Sequence, residues 1–304
     1  MQLLIKYGTL TTNIDVTQKV KQLCCFQDLI CIPATDYTRA QLFGDPVPGI
    51  LKVIFVEIDN RVFVYDHEQI AWIDLTKKPI VPITKTILSL IDGQNRLRTM
   101  HDHLQLRYGS FLEEYPEQLL AVRFLTGSEK VLELGGNIGR NSLVIASTLV
   151  DDKNLVTLEC NDAIARQLGE NRDANSMHFH LESSALSKCK LIQTGWTTIP
   201  SETILDGYSP VKSITYDQLK STYPIDFDTL VVDCEGAFYY ILRDMPEVLN
   251  GIKLVIMEND YPTGEHKQYV DQALLGRGLQ CVCSQGGGWG CCTNNFYEVW
   301  MKMC

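Results

Sequence analysis

The stretch Val131-Leu-Glu-Leu-Gly-Gly-Asn-Ile-Gly-Arg-Asn-Ser142 constrains the fold most, because it reads as a short strand running through a glycine-rich turn into a helix. Val131 to Leu134 has the length of a strand. Gly135 and Gly139 fall where a backbone must turn tightly and let a ligand approach, and Asn141-Ser142 open an apolar helical run that ends near Val150. A dinucleotide fingerprint would read Gly-x-Gly-x-x-Gly and admit a pyrophosphate to the helix N-terminus. Here the spacing is Glu133-x-Gly135-x-x-x-Gly139, and an acid just ahead of the first glycine repels phosphate. The pattern suits a cationic, phosphate-free ligand; S-adenosylmethionine, with its ammonium and sulfonium groups, is the usual one.

The chain has 304 residues, beyond the usual single-domain length, so two units are expected. A hydrophobic fraction of 45% and a charged fraction of 21% are ordinary for a soluble globular protein, and no run approaches the ~18 apolar residues of a membrane span. The N-terminal Met-Gln-Leu-Leu-Ile-Lys has none of the parts of a secretory signal, and the C-terminal Met-Lys-Met-Cys is not a prenylation box, so a cytoplasmic location and no membrane partner are expected. Eleven cysteines without an export signal read as reduced thiols, and Cys281-x-Cys283 with Cys291-Cys292 lacks the Cys-x-x-Cys spacing of a zinc site. With a net charge of -10 there is no basic stripe for a phosphate backbone, so nucleic acid is not an expected partner.

Residues 1–79 read as a small all-β domain. Short β-branched and aromatic runs (Leu3 to Tyr7, Leu29 to Ile32, Leu51 to Ile58, Val62 to Tyr65, Ile70 to Ile73) alternate with turn signals, and Val16 to Leu23 suits one short helix. The turn signals include Ala34-Thr35-Asp36, Gly44 to Gly49 and Asp59-Asn60. A break is expected at Lys77 to Pro82, where two prolines deny the backbone donors. Residues 80–126 then form a linker and helical lead-in, with helices at Thr84 to Ile91, Gln94 to Arg107 and Tyr115 to Leu125. From 127 to 304 strands and helices alternate, which predicts a mainly parallel sheet with helices on both faces; the last two strands lack an intervening helix, so the final one enters antiparallel.

The second strand of that alternation ends at Leu158-Glu159-Cys160, where an acid at the strand tip can accept both ribose hydroxyls. Beyond the third strand, Glu182-Ser183-Ser184 lies where an adenine edge would be read. The fourth strand delivers Asp233-Cys-Glu235-Gly236 and the fifth Glu258-Asn259-Asp260, so two acidic clusters meet at the carboxyl edge where open α/β sheets bind ligands. Asp233, Glu258 and Asn259 make a hard-oxygen set suited to Mg²⁺; in the metal-free alternative Asp233 or Glu235 is a general base, and His266 is another candidate base. Loops at Lys190 to Tyr208 and Pro262 to Lys267 are the expected pocket walls, and Trp289 in the glycine-rich segment 286–290 is a candidate lid.

These residues resemble the FkbM family of S-adenosylmethionine-dependent methyltransferases over about residues 115–302. Glu133, Gly135, Asn137 and Gly139 match the acid and Gly-x-Asn-x-Gly turn of that family, Glu159 its strand-tip glutamate, and Asp233, Glu235 and Gly236 its Asp-x-Glu-Gly motif; Ile214-Thr-Tyr-Asp-Gln-Leu219 is similar to its Thr-x-Asp-x-Leu stretch. Cys160 stands where the family usually has proline, and Phe238 where it has a second glutamate. The resemblance implies a class I Rossmann-like methyltransferase sheet and methyl transfer to oxygen, most often of a sugar, nucleotide-sugar or glycan. Glu133, Gly135, Gly136, Asn137, Gly139, Asn141, Glu159, Cys160, Ser183, Ser184 and Asp233 are then the expected cofactor contacts. RNA ribose 2′-O-methylation and a catalytically silent binding module are the alternatives. The N-terminal Tyr7-Gly8 and Gly44-Asp-Pro-x-Pro-Gly-x-x-Lys52 are faintly similar to a β-rich domain appended to DnaJ-type chaperones, which makes protein or glycan contact, or oligomerisation, the expected role there.

Overall fold

The computed structural model describes residues 3–26, 28–58, 61–67, 69–75, 85–195 and 197–303. The chain divides into two compact units, Met1–Thr99 and Met100–Cys304. The break expected at 77–82 and the Asp59-Asn60 turn lie outside the described residues.

The first unit contains β1 (Leu3–Gly8), β2 (Asn13–Asp15), α1 (Thr17–Leu23), β3 (Cys25–Phe26), β4 (Leu29–Ile32), α2 (Asp36–Phe43), β5 (Val53–Ile58), β6 (Arg61–Tyr65) and β7 (Ala71–Asp74), before α3 (Lys85–His103) crosses the division. Two antiparallel sheets form, in the orders β2-β1-β5-β6 and β3-β4-β7. Strand alternation buries Ile5 and Tyr7 of β1 with Ile54 and Val56 of β5. The unit is not all β. Thr35-Asp36 reads as a turn but starts α2: the Thr35 side chain caps the helix by accepting from the Thr38 N–H, and Asp36 lies in the first turn. Likewise Asp92-Gly93, a break in the pattern, is carried inside the continuous helix α3.

The second unit runs α4 (Tyr115–Phe124), β8 (Val131–Leu134), α5 (Arg140–Thr148), β9 (Leu155–Leu158), α6 (Asp162–Ala174), β10 (His180–Glu182), β11 (Ala185–Leu186), β12 (Leu191–Thr194), β13 (Thr197–Pro200), β14 (Ser209–Val211), β15 (Ser213–Ile214), α7 (Tyr216–Thr222), β16 (Thr229–Val232), α8 (Phe238–Asp244), β17 (Leu254–Glu258), α9 (Gly264–Gly276), β18 (Leu279–Gln285) and β19 (Tyr297–Lys302). Its main sheet has the order β10-β9-β8-β16-β17-β19-β18, parallel except for β19, which is antiparallel to both neighbours. This is the α/β Rossmann-like architecture expected. β8, β9 and β16 are buried along their whole length, as strands covered on both faces must be. Leu132 and Leu134 point into the core under α7, α8 and α9, and Glu133 points to the opposite face, under α5. The strand order reverses between β8 and β16, which places the ligand crevice at their carboxyl ends. Among the described residues no helix is long and apolar enough to cross a membrane.

Candidate active site

A cavity of about 240 Å³ opens at that reversal point. Its floor is the strand tips: Leu134, Gly135 and Asn137 after β8, Leu158, Glu159 and Cys160 after β9, and Asp233, Cys234 and Glu235 after β16. One wall is the helical face Ala237, Tyr240, Ile241 and Asp244, spaced as one side of α8. The opposite wall is the turn Ser184 to Cys189, and residues of β12 and β13 form the roof.

The glycine turn has the shape its sequence requires. Gly135 has φ +88°, and a Cβ there would come 1.5 Å from the Asp233 carbonyl oxygen, so only glycine lets the β8 and β16 tips converge. The Gly135 and Gly136 N–H groups both donate to Leu158 O, at 3.0 and 2.9 Å. Asn137, in the left-handed region at φ +45°, donates its N–H to Glu159 Oε2 at 3.0 Å, while Glu159 Oε1 accepts the Asn161 N–H at 2.7 Å. Glu159 is thereby fixed at the cavity edge with lone pairs left for a ligand's hydroxyls. Burial raises its carboxyl above the usual range, although these backbone donors oppose the rise.

A group of carboxylates gathers beside this floor. One oxygen from each of Glu117, Asp233 and Glu258 lies within 4.8 Å of the others. Burial, then the charge of neighbouring acids, pushes Asp233 and Glu117 far above their ordinary values. Glu258 rises to about 7, chiefly by burial, with Asp233 donating to it as the opposing influence. Asp260 rises to about 8, through burial and then its hydrogen bond and charge contact with Glu235. Each further negative charge in the cluster is therefore costly, and a cation entering it would offset that cost. Arg140, on the glycine turn, is already engaged by Glu113 and by Glu114, the latter at 2.8 Å.

The expected site residues separate into three groups. Gly135, Asn137, Glu159, Cys160, Ser184, Asp233 and Glu235 line the cavity together. Gly136, Gly139 and Asn141 shape the turn from behind: a Cβ on Gly136 would meet Thr157 Oγ1 at 2.3 Å, and one on Gly139 would meet Leu168 at 3.0 Å. Glu133 also lies beneath the turn, buried, accepting from Ser142 Oγ and raised to about 7 by burial. The remainder point elsewhere. Ser183 donates to Asp162 at 3.0 Å, outside the cavity wall. His266 stacks on Tyr239 at 3.8 Å with its edge near Tyr240, and it is not among the cavity residues. Trp289 packs on Phe296 away from that wall, and the loop 262–267 does not reach it.

The hard-oxygen set gains a member. Asn259 donates its amide to Asn295 O at 2.6 Å while its buried Oδ1 has no hydrogen-bond partner among the described residues, and a further acid beside Asp233 and Glu258 is Glu117 of α4. Three carboxylate oxygens suit Mg²⁺ at least as well as the expected trio. The roof was also missed: the segment Lys190 to Tyr208, read as a loop, contains β12 and β13, which join β14 in the antiparallel sheet β13-β12-β14.

No protein-family model matches the chain. No curated protein matches it either. Among solved structures it is similar to a putative O-methyltransferase from Klebsiella pneumoniae, at 16% identity and TM-score 0.38, over 74% of this chain and 92% of that one. It is similar also to the O-methyltransferase from Bacillus cereus in complex with SAH, at 12% identity and TM-score 0.41, over 73% and 93%. A third is the O-methyltransferase TomG from Streptomyces achromogenes in complex with SAM, at 15% identity and TM-score 0.40, over 71% and 90%.

Proposed function

We propose that the second unit transfers the methyl group of S-adenosylmethionine to a hydroxyl oxygen of a sugar, nucleotide-sugar or glycan, as FkbM-type enzymes do. The observation that carries this reading is the joining, in one cavity, of the glycine turn at Gly135 and Asn137 with Glu159 and Asp233. Bound there, S-adenosylmethionine supplies an electrophilic methyl group on a sulfonium. Glu159 accepts hydrogen bonds from the ribose hydroxyls, and Gly135 lets the tip of β16 carrying Asp233 close against the glycine turn. Asp233 and Glu235 stand at the reacting end, where a carboxylate takes the proton of the acceptor hydroxyl. The rest of the catalytic work is alignment of donor and acceptor. Carboxylates around Asp233 favour a cationic donor and disfavour a polyphosphate backbone, which argues against RNA ribose 2′-O-methylation.

The trio Glu117, Asp233 and Glu258 supports a second, metal-assisted version of the same reaction. These residues would hold Mg²⁺, which polarises the acceptor hydroxyl. Turnover that survives thorough chelation and does not rise with added Mg²⁺ removes this version. The proposed activity is tested by a panel of nucleotide sugars, oligosaccharides and RNA assayed for S-adenosylhomocysteine release. At least one carbohydrate acceptor is expected; release with RNA alone contradicts the carbohydrate assignment, and release with none leaves the silent binding module.

A further inference from the structure

Neither serine expected to read an adenine edge is free to do so: Ser183 lies outside the cavity wall, and Ser184 Oγ is held by Glu182 at 2.8 Å. Other polar side chains on the wall are similarly spent. Ser187 Oγ donates to Cys189 O at 3.2 Å, and Asp244 is paired with Arg243 at 2.9 Å. Gln193 keeps spare capacity. It projects from the β12–β13 roof, and among the described residues its only side-chain hydrogen bond is from Nε2 to the Cys160 sulfur at 3.7 Å, a weak bond that leaves a second N–H and the carbonyl oxygen unspent.

The position of that amide is set by strand register. Gln193 pairs with Thr198, and Leu191 with Pro200, and all four line the cavity. Gln193 therefore hangs over Cys160, the residue following Glu159, so a base attached to a ribose at Glu159 lies below it. Apolar Leu186, Ile199 and Ile241 surround the same space and suit the faces of a flat ring.

We infer that Gln193 is the specificity-determining residue for the purine of the methyl donor, reading the 6-amino and N1 edge of adenine with its amide. An amide offers one acceptor and one donor side by side, the complement of the amino donor and ring-nitrogen acceptor of adenine. The inference rests on the S-adenosylmethionine reading of this cavity.

Calorimetric titration with S-adenosylhomocysteine and with its purine analogue carrying hydrogen in place of the 6-amino group tests it, using the full chain and the Gln193→Leu and Gln193→Ala variants. The unaltered protein is expected to bind S-adenosylhomocysteine ~10-fold more tightly than the analogue, and both variants to bind the two ligands equally, at the weaker level. Variants that keep the preference for the amino purine overturn the assignment of Gln193. Absence of S-adenosylhomocysteine binding by the unaltered protein overturns the donor reading itself, and this inference with it. Circular dichroism of the variants confirms that the roof substitution leaves the fold intact, and a matched loss of fold in both overturns the role of Gln193 as a reader rather than a structural group.

Discussion

Arg39 in the first unit and Asp233 in the second are both charged side chains withdrawn from water, but their surroundings differ in kind. The Arg39 guanidinium donates to the carbonyls of Pro33 at 2.8 Å and Asp66 at 2.7 Å, and to those of Tyr65 and Gln69. Nearby, Lys52 is held by Asp36 at 3.1 Å and Asp45 at 2.9 Å, and Tyr7 donates to Asp36 at 2.6 Å. Every one of these groups meets its complement. Asp233 instead faces Glu117 and Glu258, groups of its own charge. Buried charges that are fully satisfied hold a fold together, whereas like charges gathered in a cleft weaken it and persist where function requires them. The contrast assigns Gly44 to Lys52, whose spacing resembles a motif, to structure: the buried Lys52 ammonium is held there by Asp36 and by the more exposed Asp45.

The largest effect expected is on turnover. Asp233→Asn removes one charge from the carboxylate group and the proton acceptor with it, so methyl transfer to an active acceptor falls by ~10²–10⁴. The thermal midpoint stays level or rises, because like-charge repulsion is relieved. A variant that loses stability along with activity would place Asp233 with the satisfied charges of the first unit.

Removing a buried charge from each unit should give opposite results. Arg39→Leu leaves several main-chain carbonyls without donors and is expected to destabilise the first unit by ~3 kcal/mol. Glu117→Gln keeps shape and hydrogen-bonding capacity in the second unit while deleting a negative charge, and is expected to stabilise it or leave it unchanged. Hydrogen exchange followed by mass spectrometry reads both units in one sample, and two changes of the same sign would break the comparison.

The pH response provides a gentler version of the same test. In the first unit, the Thr17 hydrogen bond holds Asp15 below the usual carboxylate range, and the Lys52 hydrogen bond does the same for Asp45. A depressed carboxyl contributes stability above its unfolded value, and that contribution disappears as pH falls through the folded one. In the second unit Glu133 and Glu258, near 7, and Asp260, near 8, are raised. Their contribution is complete below the unfolded carboxylate values and is lost as pH rises towards 7 to 8, by up to ~1.4 kcal/mol per group per pH unit. Acid should therefore loosen the first unit, and a rise from about pH 4 to about pH 8 the second, as measured by exchange rates between about pH 3 and 9.

Much of the second unit was legible because β8, β9, β16 and β17 are mostly apolar runs that alternate with helical patterns. The expected antiparallel final strand is β19. The roof was not legible: β12 and β13 mix Gln193 and several threonines with apolar residues on either side of Gly195, and such short mixed runs do not separate a hairpin from a loop. Glu117 was missed for a different reason. An acid in the first turn of a helix is ordinary, and only tertiary closure brings α4 beside the tips of β16 and β17. Glu133 was legible as a special residue but not its direction, since strand alternation turns it under α5 and away from the cavity.

The central claim is that the carboxyl edge of the second unit binds S-adenosylmethionine through Glu159. Calorimetric titration of the full chain with S-adenosylmethionine tests it directly, beside the Glu159→Ala variant. One molecule is expected to bind per chain, with affinity reduced ~10-fold or more by the substitution as the ribose hydrogen bonds are lost. No binding at millimolar ligand, or equal affinity in the two proteins, would contradict it.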